Sequence, residues 1–291
     1  MERDLSFLHD PEARAKREKE LKEKAAQYLA EKGKSAIQQL ETNSANRIKN
    51  VIAVMSGKGG VGKSSVTSML AVSLQRHGYR CGILDADITG PSIPKAFNVS
   101  GQIIQVEAGM LPQESKTGIK VLSVNLMVED PRDPVVWRGP VIANLVRQFW
   151  TDSYWDELDF LLVDMPPGTG DVPLTVFQSL PVSLAVAVTS PQDLVSMIVT
   201  KAIRMADKMN IETLALVENM SSFRCPDCGK VHNIFGKSHA EEYAKENKIP
   251  AFASLPIDPT IASAMDCGAI ELVDTSALDS ITDAILQKCI K

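Results

Sequence analysis

Three groups of residues in this sequence have types and spacings suited to chemistry. The first is Gly57-Lys58-Gly59-Gly60-Val61-Gly62-Lys63-Ser64, followed by Ser65. It satisfies the pattern Gly-x4-Gly-Lys-Ser and lies between an apolar run and an amphipathic one, the context that a phosphate-binding loop requires. Glycines at 57, 59, 60 and 62 let the backbone turn tightly and aim its N–H groups at phosphate oxygens. A helix beginning near Gly62 adds its positive dipole end. Lys63 is placed to reach β- and γ-phosphates, and the Ser64 hydroxyl suits Mg²⁺. The expectation is a site for ATP and magnesium.

The second group is acidic. Asp85-Ala86-Asp87 follows Gly82-Ile83-Leu84, and Asp164 closes Phe160-Leu161-Leu162-Val163. A carboxylate at the end of an apolar strand holds Mg²⁺ directly or through its waters, although such residues also serve as helix caps. Asp164 is expected in the metal role, with Ser64 and Asp87 beside it. Asp87 is also the residue expected to orient or deprotonate an attacking water. Behind Asp164 runs Pro167-Gly168-Thr169-Gly170-Asp171, a loop suited to sensing a γ-phosphate through a backbone N–H near Gly168.

The third group is Cys225-Pro226-Asp227-Cys228-Gly229. Proline and glycine around a two-residue spacer make a tight knuckle that directs two thiolates at one metal. Two ligands are half of a tetrahedral site, and three completions are open. The same pair from a second subunit would give four thiolates, suitable for a 4Fe–4S cluster or zinc. His232 and His239 would instead complete a zinc site within one chain. A redox-active dithiol is the third, although such pairs normally open a helix in a different fold. Cys81, Cys267 and Cys289 read as small buried hydrophobes.

The elements that must position these groups are legible from periodicity. Apolar runs at 51–55, 80–84, 121–124, 160–163, 184–188, 213–217 and 251–255 read as strands. Several are continuously apolar, as in strands covered on both faces. Helical patterns lie between them: Val66, Met69, Leu70 and Leu74 share one face, and Leu194, Ile198, Met205 and Met209 share another. The alternation predicts an α/β fold, a P-loop NTPase with a mostly parallel sheet and helices on both faces. Residues 1–46 differ. They form a charged extension, helical from Glu12 to near Gly33, with a polar linker through Asn43-Ser44-Ala45-Asn46. The expected domains are therefore this extension and an ATPase domain over 47–291, with the cysteine knuckle inserted near 221–236.

With 291 residues, 44% hydrophobic and 23% charged, the composition is that of an ordinary globular protein. A formal net charge of -5 argues against a nucleic-acid partner. The N-terminus is charged from Glu2 onward without an apolar signal segment. The long uncharged stretch from Val172 to Gln192 carries Pro173, Pro181 and Pro191, so it reads as helix, turn and strand rather than a membrane span. Five cysteines in so long a chain are no secreted disulfide framework, and the expected location is the cytoplasm.

Lys58, directly after the first glycine of the loop, gives a Lys-Gly-Gly-Val-Gly-Lys variant that resembles the deviant Walker A group, which includes MinD and the nitrogenase iron protein. That resemblance implies an ATP-sandwich homodimer in which Lys58 reaches the neighbour's nucleotide. More specifically, the chain resembles the Mrp/ApbC-type iron–sulfur cluster carriers. The matching stretches are residues 56–65, Leu84-Asp85-Ala86-Asp87-Ile88-Thr89-Gly90-Pro91-Ser92, Trp137-Arg138-Gly139-Pro140, residues 162–171, Ser190-Pro191-Gln192-Asp193, Val217-Glu218-Asn219-Met220-Ser221 and residues 225–228. They span 50 to about 260 in family order. The resemblance implies a 4Fe–4S cluster bridging two subunits through Cys225 and Cys228, with zinc possible in its place. It implies slow ATP hydrolysis, and apo iron–sulfur proteins and cluster-assembly factors as partners. It also assigns Asn219 to reading the adenine and places Pro256 near the same base. Two features of some relatives are missing: residues 1–50 hold no cysteine, and they cannot form a small acidic domain. The rival expectation is a MinD/ParA-like ATP-switch regulator with a structural zinc at the cysteine pair. Such proteins commonly carry a C-terminal amphipathic helix for membranes, whereas residues 278–290, with Ile281, Ile285 and Ile290, read as core packing.

Overall fold

Strand β1 (Arg47–Ser56) sends alternate side chains to opposite sides. Val51, Ala53 and Met55 enter one hydrophobic cluster, while Ile52 and Val54 enter a second. Both clusters are fully buried because helices cover each face, which is why the strand is continuously apolar. The computed structural model describes residues 39–87, 92–107, 109–127, 139–192, 197–236 and 238–290.

Among these, the seven predicted strands are present: β1, β2 (Cys81–Asp85), β6 (Lys120–Ser123), β7 (Glu157–Asp164), β8 (Val182–Thr189), β9 (Glu212–Glu218) and β12 (Ala251–Ser254). They lie in one sheet of order β12-β9-β8-β1-β7-β2-β6-β5. All pair in parallel except β5 (Gln113–Glu114), an antiparallel edge strand that the sequence did not signal. A short hairpin of β3 (Ile104–Val106) and β4 (Gly109–Leu111) also escapes the apolar pattern, since β3 is exposed along its length.

Helices α1 (Lys63–Arg76), α2 (Ser92–Ala96), α7 (Pro259–Cys267) and α8 (Asp279–Cys289) pack on one face. Helices α3 (Gly139–Thr151), α4 (Asp171–Ser179), α5 (Met197–Lys208) and α6 (Ala240–Glu246) cover the other. In α1, Val66, Met69, Leu70 and Leu74 are buried as their spacing predicts. In α5 the buried stripe is instead Val199, Ala202, Ile203 and Ala206, with Met205 and Met209 at its margin. The two alanines allow close approach to the sheet, a packing feature that side-chain size hides. Leu194 and the side chain of Ile198 lie outside the described residues, as do the predicted extension helix, Trp137-Arg138 and Asp193.

Residues 40–46, read as linker, are fastened to the sheet domain. The Leu40 amide donates to the Ser179 carbonyl at 2.8 Å and its carbonyl accepts from Trp150 Nε1 at 2.8 Å. Asn46 Nδ2 donates to the Ser153 carbonyl at 2.8 Å, and Asn46 Oδ1 accepts from the Trp155 amide at 2.8 Å. A polar stretch looked solvated because its partners lie more than a hundred residues away. Among the described residues no helix is long and apolar enough to cross a membrane. In α8, Ile281 and Ile285 are buried and Ile290 beyond it is exposed, so the C-terminal helix spends its apolar face on the core.

Candidate functional site

The sheet order brings the first two groups of residues together. β1 lies between β7 and β8, and β2 lies on the far side of β7. The register sets Val54 opposite Asp164 and Asp85 opposite Asp164 at the carboxyl ends of three adjacent strands. Ligands bind at this edge of doubly wound sheets. The loop 57–62 leaves β1 there and ends on Gly62, the N-cap of α1, with φ +82°. Its left-handed conformation favours glycine, and a Cβ there would displace the Asn219 side-chain amide from its place.

Asp164 is the centre of the arrangement and is 1% exposed. Its Oδ2 accepts from Ser64 Oγ at 2.6 Å, and its Oδ1 accepts from Thr67 Oγ1 at 2.7 Å. Lys63 Nζ stands 2.9 Å from Asp164 Oδ1 and 3.3 Å from Asp87 Oδ2. Burial works against the Lys63 charge, but Asp164 and Asp87 outweigh it and raise its pKa, so the ammonium is retained. Asp85, fully buried, accepts from Ser123 Oγ at 2.8 Å and from the Asp87 amide at 3.0 Å. Burial and the neighbouring Asp164 charge push its carboxyl well up. Its position braces the turn that presents Asp87.

A cavity of about 290 Å³ opens over this cluster, lined among others by Lys58, Gly60, Lys63, Ser64 and Asp87. Lys58 itself is exposed. The oxygen-rich pair Ser64 and Asp164 fits a hard cation such as Mg²⁺, which keeps several waters and takes few protein oxygens. Gly168, with φ +87°, donates its amide to the Ser56 carbonyl at 2.8 Å. The N–H expected to face a γ-phosphate is thus bonded to the loop's own root. Thr169, Gly170 and Asp171 are exposed beyond it.

Next to this cavity a slot of about 220 Å³ shares Gly62 and Ser65 with it and is walled by Asn219, Met220, Leu255 and Pro256. Its mixture of flat apolar walls and one amide suits a base. Asn219 Nδ2 donates to the Val61 carbonyl at 3.0 Å, tying the slot to the phosphate loop.

Cys225 and Cys228 stand apart from both. β10 (Phe223–Arg224) and β11 (Val231–His232) form a two-stranded hairpin whose turn carries the pair. The Cys225 amide donates to Lys230 O and the Gly229 amide donates to Cys225 O, each at 2.9 Å. Gly229 has φ +70°, the left-handed bend that closes the knuckle. Backbone N–H groups of Cys228 and Asp227 point at the Cys225 sulfur and lower its pKa. His232 is exposed on β11, and His239 Nδ1 is bonded to Glu242 Oε2 at 2.9 Å. Among the described residues no group of three or more His, Cys, Asp or Glu side chains converges as a metal site. The single-chain zinc arrangement is therefore not assembled. Nor does the pair open a helix, as a redox dithiol would. Of the other cysteines, Cys81 is buried as expected, Cys289 is half-buried, and Cys267 is exposed at the end of α7, contrary to the expectation of burial. A small residue in the last turn of a surface helix need not face the core.

Sequence reasoning gave no role to Thr67 or Met220. Thr67 could have been found from its position one helical turn after Lys63. Met220 holds φ +59°, which no local residue type announces.

A sequence model described as ParA, NUBPL iron-transfer P-loop NTPase, matches residues 47–290. The iron–sulfur cluster carrier protein of Clostridium perfringens is 46% identical over 240 residues, 80% of this chain and 84% of that one. A cytosolic Fe–S cluster assembly factor, the Nubp2 homolog of Drosophila ananassae, is 42% identical over 246 residues, 82% of this chain and 92% of that one. Among solved structures, a nucleotide-binding protein of Archaeoglobus fulgidus in complex with ADP is 43% identical, with TM-score 0.69 over 77% of this chain and 88% of that one. MinD of Pyrococcus furiosus, 20% identical with TM-score 0.62 over 82% of this chain and 99% of that one, shares the fold.

Proposed function

The chain belongs to the NUBPL-type iron-transfer P-loop NTPases, and from that premise we propose that it is an ATPase that carries a 4Fe–4S cluster and delivers it to apoproteins. One observation carries the reading: the segment Pro256 to Pro259 lines the base slot on one side and, on the other, a cleft of about 480 Å³ against the cysteine hairpin. The Ile257 amide donates to the Ser222 carbonyl at 2.7 Å, and the Ser221 amide donates to the Leu255 carbonyl at 2.9 Å. A nucleotide in the slot and a metal on the thiolates would thus press on the same short backbone ladder.

In this reading the loop 57–65 wraps the phosphates and Lys63 leaves its carboxylates for the β- and γ-phosphate oxygens. Ser64 and Asp164 would hold Mg²⁺, with Asp87 beside them, and the ion would supply charge neutralisation on the phosphates. Asp87 orients the water whose oxygen attacks the γ-phosphorus and accepts its proton, while the bond to the ADP oxygen breaks. Loop 167–171 exchanges the Gly168-to-Ser56 hydrogen bond for one to the γ-phosphate. Asn219, with Pro256, holds the adenine. Two chains clamp two nucleotides with Lys58 of each reaching across, and the dimer pairs two knuckles so that four thiolates hold one cluster. Cluster-assembly factors and apo iron–sulfur proteins are its partners, and the cytoplasm is its compartment. The ATPase domain runs over residues 47–291 together with the fastened residues 40–46, with the knuckle an insertion near 221–236 and the charged segment before residue 39 an extension.

Anaerobic reconstitution of the full chain with iron and sulfide tests this. A brown chromophore with about four irons per dimer is expected, absent from the Cys225→Ala/Cys228→Ala variant. A double variant that gains the same chromophore, or purified protein holding zinc and refusing iron, would remove the cluster role.

A further inference from the structure

We propose that Thr67 is a positioning residue for the metal-holding carboxylate. The inference rests on the nucleotide half of the proposed function and is independent of the thiolates. Thr67 is fully buried in α1, one turn beyond Lys63. Its hydroxyl has a single proton and two acceptors in reach, the Lys63 carbonyl at 3.0 Å and Asp164 Oδ1 at 2.7 Å. A threonine that merely satisfied itself inside a helix would use the carbonyl one turn back. Here the shorter contact goes to a charged acceptor, the stronger kind of hydrogen bond.

The consequence lies in how the two carboxylate oxygens are divided. Oδ2 is shared with Ser64 Oγ at 2.6 Å, whereas Oδ1 is held by Thr67 and by Lys63 Nζ at 2.9 Å. Lys63 has a second task at the phosphates. When it turns to them, Thr67 is the side-chain donor left on Oδ1. It then fixes the plane of the carboxylate, so that Oδ2, the oxygen paired with Ser64, stays presented to the cation. Without that hydroxyl the carboxylate is free to rotate after Lys63 or to turn Oδ1 to the metal.

The test is Mg²⁺-dependent binding of a fluorescent ATP analogue to full-length wild type, Thr67→Val and Thr67→Ser. In Thr67→Val the Mg²⁺ concentration at half-saturation should rise about tenfold, the effect of losing one hydrogen bond to a charged group. Binding in EDTA should stay within about twofold of wild type, and Thr67→Ser should recover the Mg²⁺ midpoint. If valine does not fold, Thr67→Ala against Thr67→Ser gives the same contrast, because both lack the methyl group and differ by the hydroxyl. An unchanged Mg²⁺ midpoint, or an equal loss with and without Mg²⁺, overturns the role of Thr67 alone. Wild-type protein that binds no nucleotide overturns the ATPase reading and this role together.

Discussion

The two candidate sites stand at the same edge of one sheet yet are built in opposite ways. Around the phosphate loop, Lys63, Asp85 and Asp164 are buried and held by partners from three strands and a helix. At the knuckle, Cys228, Asp227 and Gly229 are exposed, and the turn rests on a hairpin of two residue pairs. One site is part of the core, with its buried side chains held by partners in the same chain. The other is a surface turn with half of a tetrahedral ligand set. The difference teaches that a phosphate site inherits its rigidity from the sheet, whereas the cysteine turn owes its geometry to its own short hairpin and stays exposed.

The comparison breaks most readily at Lys63. Lys63→Met leaves the buried Asp164 without its cation, which should cost about 3–5 kcal/mol and lower the melting temperature by roughly 6–20 °C. ATP hydrolysis should vanish with it. The Cys225→Ala/Cys228→Ala variant, measured without metal, should melt within about 1 °C of wild type. Equal losses at both sites would show that the knuckle is as much part of the core as the phosphate loop.

A matched pair of glycine substitutions makes a smaller, sharper test. Gly62→Ala meets both a positive φ and the Asn219 side-chain amide, while Gly229→Ala meets a positive φ and nothing within 4 Å. The second should cost about 1–2 kcal/mol, the strain of a left-handed residue in an open turn; the first should cost more than the second and weaken nucleotide binding. Denaturant midpoints decide, and a reversed order would contradict the account of Gly62.

The smallest effect concerns Cys225 itself. Amides of Cys228 and Asp227 stabilise its thiolate, so its folded pKa lies below that of an ordinary cysteine. The thiolate therefore persists to lower pH. In metal-free protein, iodoacetamide labelling of Cys225 against pH should turn on earlier than in the unfolded chain. Asp227→Pro, which removes one of the N–H donors, should move the profile back up; coincident profiles would deny the backbone any part.

The seven main strands were legible because strands buried on both faces must be apolar throughout. The hairpins β3–β4 and β10–β11 were not, since short exposed strands carry no such constraint. In α5 the methionines drew the periodicity toward Met205 and Met209, although Ala202 and Ala206 lie against the sheet. For the same reason residues 40–46 passed for a linker: Asn46 and Leu40 find partners only across the fold.

What the sequence alone determined is local. The glycine spacing, the helix after Gly62 and the bend at Gly229 follow from backbone conformations that few residues tolerate, and the knuckle follows from proline and glycine about two cysteines. Tertiary structure decided which groups meet. Asp164 reaches Ser64, Thr67 and Lys63 because β7 lies beside β1, and Asp85 reaches Ser123 because β2 lies beside β6. Strand order is a property of the whole packed sheet, where each neighbour is chosen by burial over distances of a hundred residues, and no local spacing encodes it.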